Sequence, residues 1–169
     1  MTAAARLERW AAAWAAVGIS ILGAIGGGAA GAQTPAPTAA ETAPAGVENA
    51  QRAWQNWTLN CQGCHRPDGS GTEGTAPSLA GTVARFLSVP GGREYLGRVP
   101  GVATSALSNR DLAEVVNWML WRFDREHLPA KFQPYTADEM AALRTAPLRM
   151  EATQIRAALL KKADESQTP

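Results

Sequence analysis

Both cysteines of this 169-residue chain fall in one pentapeptide, Cys61-Gln62-Gly63-Cys64-His65, and no other feature restricts its fold so strongly. A disulfide framework is ruled out because there is no third thiol, and a bridge across so short a loop is strained. A structural zinc site needs four Cys or His ligands, and the chain's one further histidine is His127. A thioredoxin-like dithiol follows a strand in an α/β pattern, and no stretch here alternates in the way a strand requires. The chemistry left is covalent attachment of a c-type haem. Two thiols one helical turn apart match two vinyl groups, and the imidazole that follows is held under the iron as an axial ligand. Cys61 and Cys64 are thus the expected attachment points and His65 the expected iron ligand.

Attachment of this kind takes place after export, and the N-terminal segment reads as an address. Arg6 and Arg9 precede an almost wholly apolar or glycine run over residues 10–30, and Ala30-Gly31-Ala32 stands before Gln33. This is the n-region, h-region and small-residue cleavage site of a secretory signal, residues 1–32. The alternative is an uncleaved anchor, since about 20 apolar residues can span a bilayer; only then does a membrane become a partner. The two arginines are not adjacent, which argues against a twin-arginine signal. Either reading places the rest of the chain outside the cytoplasm, in the periplasm. Residues 33–46, QTPAPTAAETAPAG, hold too few large apolar side chains to offset the entropy of ordering them and read as a flexible leader.

The remaining length suits one domain of ordinary size. Removing Arg6, Glu8 and Arg9 from the 16 basic and 15 acidic residues leaves equal numbers of each, so the basic footprint of a nucleic-acid binder is missing. Periodicity predicts helices throughout. Val47–Asn60 carries Ala50, Ala53, Trp54 and Trp57 at helical spacing and leads directly into Cys61. Residues 66–81 are rich in Gly, Pro, Ser and Thr and read as a loop. Short helices are predicted over 83–89 and 91–97. Ser108 is an N-cap, with Asp111 in the first turn, for a buried helix through Asp124 built on Leu112, Val115, Val116, Met119, Leu120 and Phe123. Thr136-Ala-Asp-Glu139 is a capping box that starts a helix stopped by Pro147, and a polar helix over about 150–163 closes the chain.

Trp54 to Phe123 resembles a class I monohaem cytochrome c domain: a helix before CQGCH, the loop APSLAG, and a closing helix LAEVVNWML with its aromatic residue. The resemblance implies an all-α, cytochrome c-like fold around one covalently bound haem c over 47–126, with a helical C-terminal extension over 127–169. It implies an electron-transfer protein rather than an enzyme. In that family a loop proline about a dozen residues beyond the haem histidine offers its carbonyl to the ring nitrogen facing away from iron, and Pro77 matches it. Such a bond orients the ligand and raises its basicity. Trp54, Trp57, Trp118 and Trp121 are expected as core and helix-crossing residues rather than as an electron path. The wider pattern of GGREYL, RVPGV, NWML and LPAKFQPYTADEM is similar to small periplasmic bacterial cytochromes found with quinoprotein dehydrogenases. That implies redox protein partners: a quinoprotein dehydrogenase as donor, and a respiratory chain with its terminal oxidase as acceptor.

The sequence departs from the class I pattern at the sixth ligand. Where the family places Met-Pro before the closing helix, this chain has Val99-Pro100, and valine cannot ligate iron. Met119, Met140 and Met150 read as packing residues, and Arg66, Arg85, Arg93 and Arg98 as surface residues within reach of haem carboxylates or partners. His127, in a segment with Leu128, Phe132 and Tyr135 that could fold back, is the candidate distal ligand. A vacant or displaceable distal site would instead suit a haem enzyme or a gas- or peroxide-binding protein.

Overall fold

The computed structural model describes residues 44–167. The expected signal and the leader up to residue 43 lie outside them, as do the last two residues. Seven α-helices run in order among the described residues: α1 (Ala50–Asn60), α2 (Gln62–His65), α3 (Gly92–Arg98), α4 (Pro100–Ala103), α5 (Asn109–Asp124), α6 (Ala137–Leu143) and α7 (Ala152–Gln167). Two 3-10 turns, Val83–Ser88 and Arg125–His127, complete the set. No strand occurs among these residues; Thr72 and Ala76 form a lone antiparallel bridge inside the loop after α2. The all-α expectation holds.

Local chemistry explains the helix limits. α1 begins three residues later than predicted because the Asn49 side chain accepts the Arg52 amide at 2.9 Å and caps the helix there. Ser108 caps α5 as expected, its hydroxyl accepting from Asp111 N at 3.1 Å. The segment 83–89 winds as a 3-10 turn rather than an α-helix, and its end lies against Gly92, where an added Cβ would collide with the Phe86 carbonyl. α4 was not expected. Pro100 starts it at the first helical position, where a missing N–H costs nothing.

α5 is the centre of the molecule, packing against α1 on one side and α6 on another. Its pattern predicts one apolar stripe, yet every residue from Leu112 to Leu120 is buried. The segment leading into α1, with α1 itself, and the C-terminal extension cover the sides that would otherwise face water. The polar residues on those sides are therefore bonded rather than solvated. Glu114 accepts the Glu48 and Asn49 amides and a bidentate pair from Arg52. Asn117 donates to Gly46 O and Tyr135 O and accepts from Tyr135 N.

The extension starts as its sequence suggests and diverges afterwards. Thr136 accepts from Glu139 N at 3.2 Å, but the Glu139 carboxylate leaves the capping box half made and pairs with Arg93 instead. α6 ends at Leu143, ahead of Pro147, where Arg144 turns back toward the loop before α5. α7 lies across the 3-10 turn Val83–Ser88 and α3, with Leu159 and Ala163 buried.

Candidate haem site

Cys61 is at once the end of α1 and the start of α2, and the four-residue α2 carries Cys64 and His65. Its first turn closes through Cys64 N and His65 N, which both donate to Cys61 O. The two thiols and the imidazole are thereby placed on one helical turn. Both thiols are free.

The loop after α2 is built to hold Pro77 against His65. Gly71 N donates to His65 O at 3.0 Å, the Thr72 hydroxyl donates to Cys64 O at 2.8 Å, and Thr72 and Ala76 exchange backbone bonds. His65 Nδ1 then donates to Pro77 O at 3.0 Å. Gly71 permits this approach. It sits at φ +80°, and a Cβ there would lie 2.6 Å from the Pro77 carbonyl carbon. With Nδ1 committed, Nε2 is the nitrogen left for a metal. Arg66, next to His65, adopts φ 61°, ψ 162°, a region that favours glycine, so the turn out of the motif is held under strain.

Burial keeps the proton affinity of His65 below its ordinary value, the nearby Arg156 charge adds to this, and the Pro77 bond opposes it. The imidazole is therefore neutral and able to ligate. Burial and the neighbouring Cys64 push the Cys61 thiol up to about 11, so it remains protonated. Behind the motif the Trp57 ring lies 6.1 Å from His65, 4.7 Å from Phe123 and 6.0 Å from Trp118. Trp57 and Trp118 are buried core residues, as predicted, while Trp54 is half-buried. The indole N–H groups of Trp54, Trp57 and Trp118 are buried without a hydrogen-bond partner. A pair of free thiols, a neutral imidazole with one nitrogen unused and unpartnered indole donors nearby fit a covalently held haem. Cys61 and Cys64 would join its vinyl groups and His65 would meet its iron.

Other candidate residues take different places. His127 Nδ1 donates to Asp124 Oδ1 at 2.5 Å, and the other oxygen of this buried carboxylate accepts Ala84 N at 2.7 Å. His127 is thus tied to the 3-10 turn that follows the Pro77 loop. Met150 is 95% exposed, whereas Met119 and Met140 are core. Val99 ends α3 and begins α4. Three of the four arginines that the sequence offered for haem carboxylates hold the extension: Arg85 pairs with Asp164, Arg93 with Glu139, and Arg98 Nε donates to Ala146 O. Arg156, which the sequence did not single out, is the arginine whose charge reaches His65.

No family model matches the sequence. Two relatives, both from Thermus thermophilus, are named cytochrome c-552. The first is 34% identical over 121 residues, which cover 61% of this chain and 82% of the relative. The chain belongs to the c-type cytochromes. The second relative is 34% identical over 106 residues, 52% of this chain and 81% of its own. The cytochrome therefore carries haem c and works as an electron-transfer protein with redox partner proteins. When bound, the haem would supply the one-electron couple, with Cys61, Cys64 and His65 as the residues that would hold it. Among the described residues, no helix is long and apolar enough to cross a membrane.

Proposed function

We propose that this cytochrome is a periplasmic single-electron shuttle whose haem is joined to Cys61 and Cys64 and ligated by His65, with Pro77 holding the ring from behind. It takes electrons from a periplasmic dehydrogenase, a quinoprotein being the class its sequence pattern suggests, and passes them to a respiratory chain ending in a terminal oxidase. The observation that carries this reading is the 3.0 Å bond from His65 Nδ1 to Pro77 O beside two free thiols on the same turn. That bond fixes the tautomer and ring plane, so the geometry at the metal changes little between oxidation states and electron transfer needs little reorganisation.

As a distal ligand His127 could offer only Nε2, since Asp124 occupies Nδ1 and ties the ring to the 3-10 turn after the Pro77 loop. Replacing His127 with alanine decides its part: loss of the low-spin spectrum would make it the distal ligand, and an unchanged spectrum would end that role. Carbon monoxide tests the carrier reading as a whole. A shuttle with a firmly held sixth ligand gives a reduced spectrum that carbon monoxide leaves unchanged. A rapid spectral shift would contradict the shuttle and favour a ligand-binding or enzymatic haem.

A further inference from the structure

Most arginines near the domain–extension contact have partners that account for them; Arg156 of α7 does not. Its guanidinium is half-buried, 5.6 Å from the centroid of Phe86, which itself stacks on Tyr95 at 5.0 Å. Arg156 Nη2 donates to Ser78 O at a long 3.3 Å, and Ser78 follows Pro77, the residue bonded to His65. No carboxylate pairs with it among the described residues, although Arg52, Arg85, Arg93 and Arg110 each have one. A guanidinium with five donors, partly removed from water and given one weak neutral acceptor, lacks its counter-charge. Burial accordingly makes it easier to deprotonate than an ordinary arginine.

We propose that Arg156 binds a carboxylate of the haem, so that the C-terminal extension supplies a direct contact to the prosthetic group. The inference rests on a haem being attached beside His65. Its grounds are position and charge: the cation stands among Ser78, Phe86 and Tyr95, where its field reaches the His65 ring. A planar bidentate donor is also the side chain that best matches a carboxylate. Once paired, the cation offsets the negative charge of that carboxylate at the iron and raises the reduction potential.

The test uses holoprotein matured in a host that attaches haem c, prepared as wild type, Arg156→Gln, Arg156→Lys and Arg98→Gln. The last loosens the extension at Ala146 without touching Arg156. A pyridine haemochrome spectrum first establishes haem c in the wild type, so a failure of the haem reading itself is seen separately. In Arg156→Gln the propionate-bending band in resonance Raman is expected to shift and the midpoint potential to fall. Arg156→Lys restores most of the potential, and Arg98→Gln leaves both at wild-type values. An unmoved band and potential in Arg156→Gln would overturn the proposal, as would the same changes in Arg98→Gln. So would an Arg156→Gln protein altered only in its affinity for azide, since the cation would then serve an external anion. If Arg156→Gln yields no holoprotein, Arg156→Lys carries the test, with a smaller shift of the same band expected and an unmoved band overturning the assignment.

Discussion

At the scale of single residues, the site depends on a glycine as much as on its chemically active groups. Gly71 lets the backbone of residues 76 and 77 approach to a distance that any side chain would block, and its φ of +80° suits only glycine. Gly71→Ala is expected to cost about 1–3 kcal/mol of stability through strain and displacement. By weakening the Pro77 bond it also makes His65 a less basic ligand, which raises the midpoint potential. Urea unfolding and voltammetry check both, and a variant unchanged in each would count against this role. His65 also sets an acid limit. Its native proton affinity lies below that of the unfolded chain, whose ordinary value is 6.5, so the unfolded state binds more protons. The stabilisation this gives is fully present above pH 6.5 and is lost as pH falls through the lowered native value. An iron bond at Nε2 competes with the proton and lowers this limit further, so the spectrum with His65 on the iron should persist below pH 6.5 in an acid titration; loss at or above 6.5 would contradict the placement.

At the scale of elements, CQGCH was legible because everything it needs lies within five residues, and the caps at Ser108 and Thr136 were legible for the same reason. Asn49 was missed as a cap because apolar spacing continued past it to Val47, which is buried outside the helix. The polar residues of α5 gave no signal at all. Glu114, Asn117 and Asp124 fall off the apolar stripe, and a single sequence does not distinguish a solvated carboxylate from one bonded to a distant backbone. Asp124 shows what such a residue does. One oxygen holds Ala84 N at the start of the 3-10 turn and the other holds His127, joining the end of α5 to the segment after the Pro77 loop. Asp124→Ala leaves a buried amide unpaired and should cost about 1–3 kcal/mol, or more where the carboxylate is charged. Chemical denaturation of the holoprotein measures this, and a change within ~0.5 kcal/mol would assign Asp124 to a dispensable contact.

At the scale of the whole molecule, the C-terminal segment shares the apolar core through Tyr135, Met140, Leu159 and Ala163 and is held as well by long-range arginine bonds. Arg144 crosses to the loop before α5 and donates to Ala103 O, Leu107 O, Asn109 Oδ1 and Ser105 O. That stretch follows Val99-Pro100, which stands where the class I pattern has Met-Pro, and a long-range guanidinium holds it ahead of α5. Arg93 reaches Glu139 and the Gln133 and Pro134 carbonyls while its guanidinium lies over the Tyr135 ring at 4.0 Å. These contacts were illegible because each joins residues some 35 to 46 positions apart, and surface arginines usually stay solvated. Arg144→Gln is expected to open the 103–108 loop, seen as faster limited proteolysis there with the haem retained; cleavage at the wild-type rate would contradict the clamp.

The roles given to His65, Pro77 and Arg156 presuppose a haem that the chain holds covalently through both thiols of Cys61 and Cys64. Extraction of the purified holoprotein with acidified butanone tests that most directly. The haem should remain with the polypeptide, with a pyridine haemochrome spectrum characteristic of two thioether bonds, and Cys61→Ala with Cys64→Ala should abolish its retention. Passage of the haem into the organic phase from the wild-type protein would contradict the account.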